Sequence, residues 1–347
     1  MKAVVLEGKG LMTYVDVARP KVGAGDVLVQ VRASSICGSD ISRFAKGHRM
    51  YPIVLGHETS GVVVEAGPGV DQGLLGKAVS IIPLVPCRQC RECKAGRYSA
   101  CSSYSFIGSR ESGGFAEFVR VPVGNVLPAP SGLSFEQLAL VEPSTVARHI
   151  LDLANFKAGQ TAVVLGAGSI GLMVVQWLRI LGAHLIVATD VVEANLEAAR
   201  ALGAHAALNP RQVDVAAEVQ ALVDGGVDVA IEAAGSPQAL AQTIAVTRAR
   251  GSVVCGGNQP LDATLPMSFI ENLMRKEIDL HGCFMSYSAP FPGHEWTDTL
   301  EALARGDLDM PGMISHRIGL SEVPAMFADL AERRIAYRKI MITPEGA

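Results

Sequence analysis

From residue 1 to about 148, short β-branched runs alternate with Gly- and Pro-rich breaks: KAVVLEG, DVLVQVRA, TSGVVVEAG, KAVSIIPLV and FAEFVRVPV. Such runs, bounded by turn residues, predict a largely antiparallel β domain. From about 149 the rhythm changes. TAVVLGAG reads as a strand, SIGLMVVQWLRILGA as an apolar helix, HLIVATD as a strand, EANLEAARALGA as a helix, and VDVAIEAAG and GSVVCGG as further strands. Strand and helix in alternation predict a parallel sheet with helices on both faces. Beyond about 290, the Pro-rich FPGHEW, a helix over TDTLEALARG and a final strand RKIMITP leave that rhythm. The chain therefore reads as an α/β protein of two domains. A mainly β domain takes residues 1–148 and, discontinuously, 290–347, while a doubly wound parallel-sheet domain takes 149–289.

Composition narrows the function. The 347 residues are 49% hydrophobic and 18% charged, which excludes disorder and collagen-like repeats. Thirty Lys plus Arg against 34 Asp plus Glu leave a net charge of -4, so neither nucleic acid nor an anionic membrane surface is an expected partner. The first residues, MKAVVLEGKGLMTYVDV, carry Glu7 and Lys9 where a secretory signal needs an unbroken apolar stretch, so a cytoplasmic protein is expected. The uncharged run from Ala158 to Leu178 is long enough to suggest a membrane span, but its glycines break it into strand, turn and helix. In a reducing compartment seven cysteines point to thiols or metal ligands rather than disulfides.

Three constellations carry chemistry. The first is Gly166-Ala167-Gly168-Ser169-Ile170-Gly171, between an apolar strand and an apolar helix. There G-x-G-x-x-G has physical meaning: a tight turn, close backbone approach to a pyrophosphate, close helix packing, and free N–H groups aimed at the anion. Asp190, nineteen residues after Gly171, closes the next strand, where a carboxylate holds both ribose hydroxyls of NAD and repels the extra phosphate of NADP. No Arg or Lys falls between Asp190 and Arg200 to welcome that phosphate.

The second is Cys87, Cys90, Cys93 and Cys101, four soft ligands within fifteen residues. A closed tetrahedral zinc fits best; the ferredoxin spacing is not met, and strained CxxC disulfides suit a different compartment. The third is dispersed: Cys37, the pair His57-Glu58, and Glu142. One thiolate, one imidazole and one or two carboxylates suit a zinc with an open position. Gly61 stands where a zincin would have its second His. Spacing alone leaves open that Cys37 is a buried small hydrophobe and His57 a core histidine.

CGSD, LGHETSG, the four-cysteine loop, GGFAEF, VEP and GAGSIG follow one another in the order found in zinc-dependent medium-chain alcohol and polyol dehydrogenases, which this chain resembles over its whole length. FIGSRESGGFAEF and MSYSAPFPGHEW look most like bacterial galactitol-1-phosphate dehydrogenases, then sorbitol dehydrogenases. The resemblance implies a GroES-like catalytic domain and a Rossmann domain. It implies that Cys37, His57 and Glu58 hold catalytic zinc, with Glu142 a further ligand, direct or through water, and that Cys87, Cys90, Cys93 and Cys101 hold structural zinc. Ser39 corresponds to the hydroxyl that takes the substrate's proton, and His48 is a candidate for the outer end of that relay or else a solvated loop residue. Thr145 and the Gly256-Gly257 turn become neighbours of the nicotinamide.

The implied reaction is hydride transfer from a secondary alcohol of a polyol or polyol phosphate to NAD. Arg110, with Arg43, Lys46, His48 and Arg49, is a candidate anion site for a sugar phosphate; the same cations read equally as surface charges, and Glu111 partly cancels Arg110. Other readings are a threonine-type or other zinc alcohol dehydrogenase, a non-catalytic NAD- and zinc-binding protein, and a cysteine-loop module recognising partners through Arg88, Arg91 and Lys94. A homodimer or homotetramer is expected, joined through the EIDLHGCF edge, with Cys255 and Cys283 as packing residues.

Overall fold

Valine at alternate positions drives the first unit into strands, because branched side chains on a pleat pack into one core while their neighbours face outward. In the computed structural model, which describes residues 1–258 and 264–344, the chain divides into two compact units. One comprises Met1–Pro143, Tyr287–Gly306 and the residues from Met310 onward; the other comprises Ser144–Ser286 with Asp307–Asp309.

The first unit is built on a seven-stranded sheet in the order Val126–Pro128, Ala78–Ile81, Glu58–Ala66, Asp26–Ser35, Lys339–Thr343, Ile314–Gly319, with Phe118–Pro122 also paired to Asp26–Ser35. Its pairings are antiparallel except the last, where Ile314–Gly319 and Lys339–Thr343 run parallel. Val27, Val29 and Val31 pack there against Val63, Val79, Val119 and Val121. A second sheet, Leu11–Asp16, Lys2–Gly8 and Ile53–Val54, buries Val4 and Leu6 in a cluster with Phe115 and with Phe327 and Leu330 of helix Val323–Ala331. The sequence pattern reveals the final strand but not Ile314–Gly319, because Ser315, His316 and Arg317 interrupt its apolar alternation. Register has a chemical result. Ser35 pairs with Glu58 on one side and Met341 on the other, and Lys339, two residues from Met341, shares its face.

The second unit is a six-stranded, wholly parallel sheet in the order Ala206–Leu208, Leu185–Thr189, Thr161–Leu165, Val227–Glu232, Thr247–Cys255, Asp279–Gly282. Strand order reverses beside Thr161–Leu165, and a crevice opens there beyond the strands' carboxyl ends, where such folds take ligands. Helix Ser169–Ile180 is buried from Gly171 through Leu178, which is why it reads as apolar all round rather than amphipathic. Helices Val215–Leu222 and Pro237–Val246 are capped by Asp214 and Ser236, whose side chains accept from the first-turn N–H groups. Their Ala-rich sequences carry little periodicity, so the pattern passes over them. Among the described residues no helix is long and apolar enough to cross a membrane.

Half-buried Asp228 ties its strand to both neighbouring strands. One carboxylate oxygen accepts from the Thr161 N–H and hydroxyl, both at 2.8 Å, and the other from Arg248 Nε at 2.8 Å. Burial opposes ionisation, but the bonds from Thr161 and Arg248 outweigh it and hold the carboxyl below its ordinary value. A depressed carboxyl stabilises the fold above the unfolded pKa, and that contribution disappears as pH falls through the folded pKa. Asp228→Asn should therefore cost about 1–2 kcal/mol in urea unfolding at pH 7. Near pH 3 the difference should shrink; an equal deficit at both pH values would sink this account.

Candidate active site and dinucleotide cleft

Cys37 immediately precedes helix Gly38–Lys46, which places its sulfur at the positive end of the helix. Asp40, in the first turn, accepts from the Cys37 N–H at 3.3 Å. His57 follows Gly56, whose φ of +99° and contact with Phe115 leave no room for a side chain, and Glu58 opens the next strand. These elements bring the Cys37 thiol, a His57 ring nitrogen and a Glu58 carboxylate oxygen within 4.8 Å of one another. His57 is buried, and its Nδ1 lies 3.4 Å from the wholly buried Asp40 carboxylate without a hydrogen bond. Burial pulls the His57 pKa down, but Asp40 and Cys37 outweigh it and the net shift is well upward. Arg43 donates to Asp40 at 2.9 Å and to Ser39 Oγ at 2.8 Å, and Ser39 Oγ in turn donates to Cys37 Sγ at 3.3 Å.

Glu58 is held from behind. Lys339 Nζ reaches both its oxygens, at 2.5 and 2.6 Å, and Ser35 donates a short hydrogen bond to it; both Glu58 and Lys339 are buried. The three-donor cluster does not include Glu142, the second residue of helix Val141–Leu153. Its carboxyl is nevertheless buried and feels the cluster: burial pushes it up to about 7, with His57 pulling it down and Glu58 pushing it up. The donor set of thiol, imidazole and carboxylate, with the Asp40 carboxylate beside the buried Nδ1, fits zinc with an open position.

The second cysteine set is more nearly closed. The thiols of Cys87, Cys90, Cys93 and Cys101 all lie within 4.8 Å of one another, none is in a disulfide, and Cys87–Cys93 and Cys90–Cys101 stand at 4.0 and 3.9 Å. A tetrahedron with Zn–S of about 2.3 Å has edges of about 3.8 Å, so the spacing fits that ion. Backbone N–H groups of Cys87, Cys90 and Cys93 donate to the sulfurs of Cys101, Cys87 and Cys90. Donors from Cys93 and Ser102 lower the Cys90 thiol to about 6, whereas burial raises Cys93 to about 12.

In the second unit Gly166 has φ of +104°, and a Cβ there would meet the Ala234 backbone. At Gly171 a Cβ would strike the Gly166 carbonyl at 1.8 Å. Gly168, which precedes Ser169 and Ile170 at the start of the helix, faces open space, with nothing within 4 Å of a Cβ. Gly166 and Gly168 border a cavity of about 650 Å³ also lined by Asp190, Arg211 and Ser236. Its helix N-terminus and the open space at Gly168 fit a pyrophosphate. Glu232, unremarked in the sequence, shapes one wall: buried Oε1 accepts from the N–H groups of Ala234 and Gly235 at 2.9 and 2.7 Å, and its backbone carbonyl accepts from Gly256 and Gly257. Thr145 is buried, its hydroxyl 2.5 Å from that of Ser286.

Two candidates stand apart from these clusters. His48 Nε2 faces the Ser109 carbonyl at 2.6 Å and its N–H donates to the Tyr51 hydroxyl, so its hydrogen bonds do not run to Ser39. Arg110 is exposed, folded over the Tyr104 ring at 3.7 Å and donating to the Tyr104 carbonyl at 2.6 Å. Asp40, Ser35, Lys339 and Arg211 were not singled out in the sequence. Of these, Asp40 alone had a local signal, three residues from Cys37 at a helix start.

Two family models match: the alcohol dehydrogenase GroES-like domain over residues 23–131 and the zinc-binding dehydrogenase over 169–305. The chain belongs to the zinc-binding dehydrogenases of this GroES-like and Rossmann-like architecture. It is 33% identical to galactitol 1-phosphate 5-dehydrogenase of Escherichia coli strain K12, over 99% of this chain and 100% of that one. It is 31% identical to sorbitol dehydrogenase of Bacillus subtilis, over 99% of this chain and 97% of that one. The crystal structure of the Escherichia coli galactitol-1-phosphate dehydrogenase superposes with a TM-score of 0.94 at 33% identity, covering 99% of this chain and 100% of that one. The resemblance to medium-chain dehydrogenases drawn from the motifs is thus borne out.

Proposed function

We propose that the protein is a zinc- and NAD-dependent oxidoreductase that takes a hydride from a secondary alcohol of a polyol or polyol phosphate and yields a ketose or ketose phosphate. The observation that carries this reading is the Cys37, His57 and Glu58 donor set with the Ser39 hydroxyl on the Cys37 sulfur. Cys37, His57 and Glu58, with Glu142, hold the catalytic ion, which when bound supplies Lewis acidity toward the alcohol oxygen. Ser39 relays the hydroxyl proton, its Oγ accepting it as the Ser39 hydrogen is passed on, and Arg43, donating to Ser39 Oγ, fixes the position of that oxygen. The ring of His48, read from the sequence as the outer end of this relay, is turned to the Ser109 carbonyl, so the proton passes from Ser39 to solvent water. In the dinucleotide cleft Gly166, Gly168, Ser169, Ile170 and Gly171 receive the pyrophosphate and Asp190 the adenosine ribose, with Thr145 and the Gly256-Gly257 turn placed at the nicotinamide.

Arg110 keeps guanidinium N–H groups beyond the one used on Tyr104, and these suit a substrate phosphate. Cys87, Cys90, Cys93 and Cys101 hold the structural ion. The enzyme works in the cytoplasm as a homodimer or homotetramer. The sheet edge at Asp279–Gly282 supports that reading, since Leu280 and Phe284 there, and Met267 and Met274 of helix Met267–Arg275, are exposed apolar residues.

Initial rates of NAD reduction across matched free polyols and polyol phosphates, galactitol and galactitol 1-phosphate among them, test the reading. Chelator-sensitive turnover on phosphates alone makes Arg110 an anion site, and turnover on free polyols alone makes it a surface charge. No chelator-sensitive turnover on either set overturns the polyol reading and leaves other alcohols, threonine-type substrates included. Cys37→Ser should abolish turnover while NADH binding persists, which separates a catalyst from a mere binder.

A further inference from the structure

The cavity beside the glycine loop carries two opposite charges, of which the reading above uses one. Asp190 is pinned on one wall, Oδ1 accepting from the Val192 N–H and Oδ2 from the Ala167 N–H, both at 2.9 Å. Arg211 lines the same cavity from the turn after strand Ala206–Leu208. Asn209 Oδ1 accepts the Arg211 N–H at 3.0 Å and fixes that turn, while the side chain stays exposed. Other arginines of this unit are committed: Arg200 donates to the Ala207 carbonyl and pairs with Glu193, and Arg248 is bound to Asp228. Among the described residues no carboxylate lies within ion-pair distance of the Arg211 guanidinium.

A lone carboxylate in this cavity would repel a phosphate on the ribose 2′-oxygen. A guanidinium on the same cavity wall partly offsets the carboxylate and offers a planar set of donors that matches phosphate oxygens. We propose that Arg211 is a specificity-determining residue that offsets Asp190, so that the pocket admits adenosine carrying a 2′-phosphate as well as adenosine without one. The inference rests on the dinucleotide reading and extends it. The ribose hydroxyls go to Asp190, and a 2′-phosphate draws on Arg211. Arg211 lies 21 residues beyond Asp190 in the chain, and the return of the chain at strand Ala206–Leu208 brings it to the same cavity.

Isothermal titration with 5′-AMP and with adenosine 2′,5′-bisphosphate tests this without nicotinamide, zinc or turnover. The wild-type protein should bind the two within about tenfold of each other. Arg211→Gln should weaken the bisphosphate by about tenfold or more and 5′-AMP by less than about twofold. Added NaCl should weaken bisphosphate binding more steeply in the wild type than in Arg211→Gln. Asp190→Asn should tighten the bisphosphate, and Arg211→Gln on that background should remove the gain. Equal weakening of both ligands, no change in either, or failure of the wild type to bind the bisphosphate overturns the proposal. Failure to bind even 5′-AMP overturns the dinucleotide reading itself, and this inference with it.

Discussion

Lys339→Met should cost about 3–5 kcal/mol in the unfolding free energy of the chelator-treated protein, and less once zinc is restored. The carboxylate of Glu58 is buried, and in this structure its counter-charge is Lys339 Nζ, at 2.5 and 2.6 Å from its two oxygens. Met keeps most of the side-chain length and removes the charge, leaving Glu58 with the Ser35 hydroxyl and no cation. A bound divalent ion would supply positive charge on the other side, so metal should rescue part of the loss. Turnover should fall at least about tenfold, because Glu58 loses the bonds that fix its direction. Lys339→Arg, which restores the charge in a bulkier form, should recover stability better than activity. Urea unfolding with and without chelator, alongside kcat, decides the matter. An unchanged midpoint without zinc would show that the pair contributes nothing to the fold.

Cys93→Ser should lower bound zinc from two ions per chain to one and cost at least about 4 kcal/mol of stability. Cys93 is buried, and burial holds its thiol near 12, so ion binding there must displace a proton that the apo lobe keeps. Retention of this ion should weaken as pH falls, since protons compete for all four sulfurs. The damage should spread beyond the loop. Phe291 sits under the Arg88 guanidinium at 5.2 Å and against the Tyr98 ring at 5.3 Å, and it stacks on Tyr287, which stacks on Trp296. The lobe thus clamps the Tyr287–Gly306 segment into the first unit, and limited proteolysis should cut both segments in the variant. Metal analysis that still finds two ions per chain would remove these cysteines from the zinc account.

The parts of the site readable from sequence are those whose residues are local. G-x-G-x-x-G needs one turn between a strand and a helix, and the four-cysteine loop needs fifteen residues, so spacing carries the chemistry in both. Lys339 has no such signal: within RKIMITP it is one cation in a terminal strand, and only the pairing of Met341 with Ser35 and of Ser35 with Glu58 gives it a partner. Glu232 likewise ends an apolar strand and shows its role only when the turn folds back over its carboxylate. His48 shows the converse. Its position after the zinc cysteine suggests a relay, yet the loop turns its ring to the Ser109 carbonyl.

Insertion of strand Lys339–Thr343 between Asp26–Ser35 and Ile314–Gly319 also sets an order of events during synthesis. Almost all of the parallel-sheet unit comes from one continuous stretch, Ser144–Ser286, and can begin to close while the ribosome is still translating downstream codons. The first unit cannot, because strand Lys339–Thr343, which pairs with Asp26–Ser35 and brings Lys339 to Glu58, lies 281 residues beyond Glu58. Until then a nascent chain carries Cys37, His57 and Glu58 on an unfinished sheet with an open edge beside Asp26–Ser35. The sheet around Glu58 is therefore completed only once residue 339 has been made, long after Cys37, His57 and Glu58 themselves.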